Sequence, residues 1–494
     1  MTMSKTKAAA KKMLFLNKLN LNNKNSDDSD GSISSDDVEQ LETDYLGHIV
    51  EEQYIIIKYL GKGTFSKVWL VYDLINNNYI TFKMFFSEDK DEYENELGVL
   101  DVIKSNNMDL NLNYKGALCH TFNINNEHID TYILIMPYLG ISIADILDDK
   151  LTLSINEIKH ITKQLLMSLI ELHNCKYIHC DLKTDNILTN IYKEENTDYI
   201  NWFSSLTINN IYDDIIKTNS PTNDEFLKLD KNKRKFLKRK IKKRSLKELH
   251  LYVKKKCLNY DIESLNLKTI DLNLANTTNT DKNMNVNTCN DNNIKFNMME
   301  LNEINLDNDA LLNDKDMCMF DNLLDVKLTL IDYSNSIHID EIDNDDEYQI
   351  RAYRSPENIL GINYNYKSEL WAVGCIIWGF LTDEYIFEPK LVGSNISRDR
   401  EQLALMETYL GKISSNLTDN SNRYTELFDN SGKIKKHKNI KRETLENNLK
   451  NIRNDLSNDE IHAICSFLRK IWVYNPTQRL DVHQLLNNEF LTTQ

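Results

Sequence analysis

The chain contains no CxxC pair, no apolar run approaching the ~18 residues that span a bilayer, and no excess of positive charge. Its eight cysteines (Cys119, Cys175, Cys180, Cys257, Cys289, Cys318, Cys375 and Cys465) follow no regular framework. That argues against zinc and against a disulfide scaffold, and for reduced thiols in the cytoplasm or nucleus. The stretch Met13-Leu14-Phe15-Leu16 is too short for a signal-peptide core, so the expectation is a soluble intracellular protein with no membrane contact. A formal net charge of −16 speaks against direct nucleic-acid binding and suits a basic partner. What is present is a chain of 494 residues, 41% of them hydrophobic, enough to bury a large core and fold alone.

The composition is uneven along the chain. Residues 1–43 begin basic (Lys5, Lys7, Lys11, Lys12) and become a Ser/Asp tract from Ser26 to Asp37. Such a tract buries too little apolar surface to offset its ordering entropy, so the segment reads as a disordered extension. Its serines amid aspartates also suit an acid-directed kinase. A second departure lies at 193–325, where eleven Lys or Arg fall between Lys231 and Lys247 and an Asn-rich acidic part follows from Asn259. This reads as an insertion, largely disordered, with helix admissible in the basic part. The basic run is equally a nuclear address, an anchor for an acidic partner, or a solvated helix face.

The flanking parts carry the chemistry. Tyr177-Ile178-His179-Cys180-Asp181-Leu182-Lys183-Thr184-Asp185-Asn186 places an Asp, a Lys two residues on and an Asn five residues on in one short loop. Phosphoryl transfer needs this set: Asp181 to accept the proton of an attacking hydroxyl, Lys183 to offset charge on the moving group, Asn186 to hold magnesium. Upstream, alternating apolar residues from Tyr54 lead into Leu60-Gly61-Lys62-Gly63-Thr64-Phe65-Ser66-Lys67-Val68, a strand, a glycine turn and a strand whose backbone N–H groups can close over phosphates. Ser66 stands where a third glycine is usual, and a glycine hairpin alone is as consistent with a plain turn. Lys83 follows on an alternating strand, then Glu96 on a charged helix, and a Lys83–Glu96 ion pair would aim the ammonium at the α- and β-phosphates. Glu94 is the rival partner if the helix register shifts. Residues 131–140 read as a buried strand entering a hinge, with Met136 behind an adenine pocket and the Leu139 backbone meeting the base. After the insertion, Val326-Lys327-Leu328-Thr329-Leu330-Ile331 is an apolar strand delivering Asp332 to magnesium. Glu357 should pair with Arg479 as a structural brace.

Residues 54–191 and 326–490 together resemble a eukaryotic protein kinase, which implies an α+β bilobal fold: a β-rich N-lobe, a helical C-lobe and MgATP between them. The implied domain division is 54–192 and 326–494, separated by the spacer 193–325. Within that superfamily the chain is most similar to the SR-protein kinases. The motifs are Gly63-Thr64-Phe65-Ser66-Lys67-Val68-Trp69-Leu70, Asp332 followed by Asn335, Tyr353-Arg354-Ser355, Ile386-Phe387-Glu388-Pro389, Arg398-Asp399-Arg400-Glu401-Gln402-Leu403 and Leu410-Gly411-Lys412, together with the spacer itself. The resemblance implies a monomeric serine/threonine kinase acting on Arg/Ser-rich splicing-factor-type proteins, docked on acids among which Asp399 and Glu401 fall. Thr408 replaces a further acid. It also implies constitutive activity, because Cys180 replaces the arginine that would await an activation-segment phosphate, and the acids from Asp340 to Glu347 offer fixed negative charge. Two residues depart from the common kinase pattern: Ser334 for a glycine and Glu369 for an aspartate. A LAMMER-type dual-specificity kinase, partly echoed by Glu401-Gln402-Leu403-Ala404-Leu405-Met406-Glu407, and a catalytically weak scaffold for Arg-rich partners are the alternatives.

Overall fold

The computed structural model describes residues 44–106, 114–149, 153–260, 323–390, 393–437 and 440–493. The expected disorder of 1–43 and of the Asn-rich part of the spacer lies outside the described residues. The chain divides after Leu46; of the smaller unit, Met1–Leu46, only 44–46 are described, and the unit Gly47–Gln494 carries the elements that follow.

Its first part is a six-stranded sheet in the order β1-β2-β3-β4-β6-β5, built from β1 (Ile49–Val50), β2 (Tyr54–Lys62), β3 (Lys67–Asp73), β4 (Asn78–Phe86), β5 (Gly116–Ile124) and β6 (Glu127–Pro137). Between β4 and β5 runs helix α1 (Lys90–Ser105). Aromatic and β-branched residues form the strands because their stiff side chains pack well on a pleated surface. On β4, alternation puts Tyr79, Thr81, Lys83 and Phe85 on one face. Along that face Phe85 meets the ring of Tyr93 on α1 at 5.7 Å, Thr81 and Lys83 line a cleft, and Tyr79 meets Ser204 of the spacer at 2.6 Å.

The second part is helical. It contains α2 (Ile143–Asp149) and α3 (Ile155–Asn174), whose Ser154/Glu157 capping box starts a helix burying Ile158, Ile161, Leu165, Leu166, Leu169 and Leu172. Two short ladders follow: β7 (Tyr177–Ile178) pairs with β10 (Ile337–His338), and β8 (Ile187–Leu188) with β9 (Thr329–Leu330). They close the catalytic loop onto the segment beyond the spacer. Helices α8 (Pro356–Leu360), α9 (Tyr366–Thr382), α10 (Asn395–Leu410) and α11 (Asn458–Ile471) complete the lobe, with Trp371 and Trp378 of α9 fully buried in its core. Sheet and helical lobes together are the expected bilobal kinase architecture. No helix among the described residues is long and apolar enough to cross a membrane.

The spacer differs from the expectation of a largely disordered insertion. Its first half folds as four helices, Glu194–Ser205, Ile208–Asn219, Asn223–Leu227 and Lys231–Leu258. They are anchored by sparse apolar groups that composition hides: Tyr199 and Phe203 in the first, and Ser245, Leu249, Val253 and Cys257 in the last, four residues apart and so on one face.

Glu357 and Arg479, both fully buried, form a bidentate pair at 2.8 and 3.0 Å, and Arg479 also donates to the carbonyls of Lys367 and Val473. Glu357→Gln leaves a buried guanidinium without its counter-charge and should destabilise the kinase by roughly 3–5 kcal/mol in urea unfolding. The double change Glu357→Leu with Arg479→Met should cost distinctly less, and equal losses would show that packing rather than charge is at stake.

Candidate active site

The catalytic loop is held from beneath. His179 is fully buried; its Nε2 bonds the Ile331 carbonyl at 3.0 Å and its Nδ1 accepts from the Asp181 N–H at 3.3 Å, which requires the neutral ring protonated on Nε2. One histidine thus ties Asp181 to the residue preceding Asp332. The Asp181 carboxylate receives Lys183 Nζ at 2.9 Å and Asn186 Nδ2 at 3.2 Å, and Asn186 Nδ2 also bonds the Asp181 carbonyl at 2.9 Å. Asn186 therefore spends its amide nitrogen on Asp181 and keeps its amide oxygen for a ligand.

Glu369 takes the place of a shorter acid without loss of contact. Its Oε1 accepts from the N–H groups of His179 and Cys180 at 2.8 and 3.2 Å, and its Oε2 meets His173 at 2.8 Å. The additional methylene lets it reach a third group.

Across the cleft, Lys83 Nζ lies 2.6 Å from Glu96 and 2.8 Å from Asp332. Glu94 instead pairs with Lys90 on the surface. Burial pulls the Lys83 pKa down, but the two carboxylates outweigh it and leave the ammonium more basic than usual. Burial alone would raise the Asp332 pKa; the Lys83 charge and hydrogen bond, with the Ser334 hydroxyl, lower it to about 2. Ser334 Oγ donates to Asp332 Oδ1 at 2.9 Å, while Asn95 of α1 donates to the carbonyls of Ser334 and Ser336 at 2.8 and 3.0 Å. The serine that replaces a glycine thus orients the carboxylate, and α1 is docked against the same segment. Neither contact has a signature in the sequence.

The cleft between the lobes has a volume of about 640 Å³. Of the expected nucleotide-site residues, Leu60, Gly61, Lys62, Gly63, Thr64, Ser66, Val68, Lys83, Glu96, Met136 and Leu139 line it, as do Lys183, Asn186 and Asp332. Phe65 packs against the hydrophobic core and Lys67 reaches over the Phe86 ring, so neither is part of the lining. Asp181 is not part of that lining; it adjoins it through its contacts with Lys183 and Asn186. Gly140 closes the hinge: a Cβ there would meet the Ile191 carbonyl at 1.9 Å, so the backbone approach requires glycine.

Tyr192 and three residues at the start of the spacer, Lys193, Glu195 and Asn196, also line the cleft. Tyr192 stacks on Tyr138 of the hinge at 5.1 Å, Lys193 pairs with Asp145 of α2 at 3.0 Å, and Asn196 accepts from Lys58 of β2 at 2.6 Å. The cleft mouth is thereby strapped from both lobes, a role that no motif announces.

The donor set fits magnesium and nucleotide. Mg2+ is usually held by one or two carboxylates, waters and substrate phosphates, and the Asp332 carboxylate with the Asn186 amide oxygen supplies the protein share of such a set.

The protein kinase domain family matches residues 54–200 and 315–491, two stretches flanking the spacer. The chain belongs to the protein kinase family. A putative serine/threonine-protein kinase of Acanthamoeba polyphaga mimivirus is 24% identical over 507 residues, 94% of this chain and 92% of that protein. The serine/threonine-protein kinase SRPK of Physarum polycephalum is 21% identical over 455 residues, 90% of this chain and 87% of that protein. The dual specificity protein kinase lkh1 of Schizosaccharomyces pombe is 27% identical over 172 residues, only 34% of this chain and 24% of that protein. The likeness to the Physarum polycephalum kinase that carries the SRPK name runs through nearly the whole chain, and this is an SRPK-like kinase.

In this SRPK-like kinase Asp399 does not serve as an exposed docking acid, contrary to the sequence expectation. It is fully buried, receives Arg351 through a short ion pair and receives Arg423 at 2.7 Å. It braces the activation segment against α10. Glu401, on the same helix, is half-buried.

Because the folded Asp332 pKa lies near 2, below its ordinary 3.8, its contribution to stability is complete above about pH 4 and fades as pH falls through about 2. Lys83→Met removes the cause of the shift, so the difference in melting temperature between wild type and variant should shrink as pH drops from 5 to 3; a constant difference would show that Lys83 does not hold Asp332 charged. Asn196→Ala, which removes its hydrogen bond to Lys58, should raise the KM for ATP by about threefold to tenfold, the equivalent of one partly exposed charged hydrogen bond, and change kcat less. Steady-state kinetics with varied ATP would reveal it.

Proposed function

We propose that this SRPK-like serine/threonine protein kinase transfers the γ-phosphoryl group of ATP to serine in Arg/Ser-rich proteins, and does so without phosphorylation of its own activation segment. The observation that carries the reading is the convergence of Lys83, Glu96, Asp332, Lys183, Asn186 and Asp181 on one cleft from four separate segments. Magnesium, when bound, supplies charge neutralisation for the phosphates, held by Asp332 and Asn186. Lys83, fixed by Glu96, binds the α- and β-phosphates. The carboxylate of Asp181 orients the serine hydroxyl and accepts its proton as the Ser Oγ–P bond forms and the bond from phosphorus to the bridging oxygen breaks. Lys183 offsets the charge that moves with the phosphoryl group.

Constitutive activity is supported by how the activation segment is held. Cys180 is buried in a cluster with Ile178, Tyr348 and Tyr364. Gln349 accepts from the Leu182 N–H at 3.1 Å, donates to the Leu182 carbonyl, and its own N–H reaches the Cys180 carbonyl at 3.0 Å. Glu347, from the acidic run, pairs with Arg354 at 3.0 Å. These contacts occupy the place of a phosphate–arginine pair.

The substrate class is supported by the acidic balance of the chain and by the SRPK-named relatives. With Asp399 withdrawn, and with the Thr408 hydroxyl bonded back to the Ala404 carbonyl at 2.9 Å, docking of Arg-rich sequence falls to Glu401 and to Asp383, Glu384 and Glu388, exposed ahead of α10. The partial likeness to lkh1 keeps a dual-specificity enzyme as the second reading.

Incorporation of labelled phosphate into an Arg/Ser-repeat peptide tests the proposal. Asp181→Asn should lower kcat by about 10²- to 10⁴-fold, and phosphatase treatment of the wild type should leave its rate intact. A wild type as inert as the variant would favour a scaffold, equal turnover of tyrosine peptides a dual-specificity enzyme, and loss of activity after phosphatase an activation-segment switch.

A further inference from the structure

The last spacer helix, Lys231–Leu258, is two things end to end. Its second half is anchored, through Ser245, Leu249, Val253 and Cys257, all buried. Its first half buries no residue fully: Arg234, Leu237 and Ile241 are half-buried, with Arg234 donating to the carbonyls of Leu227 and Leu229, while the other basic side chains stand in solvent, and over residues 231–244 ten of fourteen positions are Lys or Arg and none is Asp or Glu.

Like charges four residues apart destabilise a helix, and Lys235/Arg239, Arg239/Lys243 and Lys240/Arg244 are such pairs. The nearby carboxylates relieve little of this. Asp230, Glu52 and Glu248 pair with Lys233, Lys242 and Arg244. Among the described residues no carboxylate pairs with Lys235, Lys238, Arg239, Lys240 or Lys243. The helix therefore carries a row of uncompensated cations whose mutual repulsion a polyanion would remove.

We propose that this exposed half-helix is a docking rod for the phosphodiester backbone of a DNA duplex. Charge density favours that occupant. Fourteen helical residues rise about 20 Å, so ten cations stand roughly one per 2 Å, close to the one phosphate per ~1.7 Å of duplex axis. An extended acidic peptide offers at most about one charge per 3.3 Å. A lipid surface fits poorly, because an interfacial helix needs an apolar face and the cations here lie all round. An acidic protein would want apolar anchors, and over 231–244 Phe236 is the one large hydrophobic exposed. A helix 10–12 Å across with side chains also suits the ~12 Å major groove of B-DNA, whereas A-form RNA would be met across its backbone. The net charge of −16 weighs against nucleic acid only as a total, since fields are screened within ~8–10 Å and the rod is locally positive.

Fluorescence anisotropy of the full-length chain with a labelled 20-base-pair DNA duplex, and in parallel an RNA duplex of equal length, between 50 and 200 mM KCl tests the proposal. Binding should weaken with salt along a log–log slope of about −4 to −5, as for some five phosphates engaged. The combined variant Lys235→Gln, Lys238→Gln, Arg239→Gln, Lys240→Gln and Lys243→Gln should lose at least tenfold in affinity and most of the slope, while phosphorylating an Arg/Ser peptide at the wild-type rate. Tighter binding of the DNA duplex supports the assignment, and tighter binding of the RNA duplex would overturn it. No binding below about 100 μM at the lowest salt, equal binding by the variant, or displacement by polyglutamate of equal charge as readily as by unlabelled duplex would each overturn it, the last in favour of an acidic protein.

Discussion

The ammonium of Lys83 is clamped between two carboxylates that come from different parts of the chain, Glu96 on the helix of the small lobe and Asp332 beyond the spacer. Each of the three groups, buried alone, would be driven towards its neutral form; together Lys83 and Asp332 hold each other charged, while burial and the Asp332 charge outweigh Lys83 at Glu96 and leave its pKa above the ordinary carboxylate value. This triad fixes α1 against the sheet, sets the height of Asp332 over the cleft and, through the Ser334 hydroxyl and Asn95, locks the segment that follows. A nucleotide entering the cleft finds positive charge already aimed at its phosphates, and no reorganisation is needed at the moment of reaction.

The long excursion between Asn186 and Asp332 costs less than its length suggests. Loop-closure entropy grows with the logarithm of loop length, so lengthening a connection from about fifteen to about 130 residues adds only roughly 2 kcal/mol. The ladders β7–β10 and β8–β9, and the His179 bond to the Ile331 carbonyl, oppose that amount. The folded half of the spacer repays more of it by burying Tyr199 and Phe203 against the sheet, where Phe203 touches Tyr72 and Tyr79. An insertion that leaves the helical lobe and packs on the sheet of the other becomes part of the site, and Asn196 and Lys193 are where it does so.

The parts that could be read in the sequence are those whose chemistry dictates spacing. Asp181, Lys183 and Asn186 must share one loop, Lys83 must ride a strand after a glycine hairpin, and an acid must end an apolar strand, so Asp332 was legible even 146 positions beyond Asn186. Asp399 was misread because an acid in a helix looks the same whether it faces water or two arginines, and its partners Arg351 and Arg423 belong to other elements. The helices of the first spacer half were hidden by composition: a run of lysines masks four small or apolar positions at intervals of four. Gly140 acts through close backbone approach, and Ser334 and Asn95 through side-chain hydrogen bonds set by the fold, none of which leaves a pattern in a single sequence.

Cys180 shows how one substitution changes what holds a segment in place. An arginine at this position, surrounded by Ile178, Tyr348 and Tyr364, would sit in a low-dielectric pocket and need a counter-anion to be tolerated. The thiol needs none; burial, with the nearby Glu369 carboxylate, pushes its pKa well up, so it stays neutral and packs as a small apolar group. The activation segment is then held by contact area, by the Gln349 amide on Leu182 and by the ion pairs Glu347–Arg354 and Asp399–Arg351, none of which a phosphatase removes. If activity is constitutive, as proposed, control acts elsewhere, on access to the cleft or on where the kinase is held.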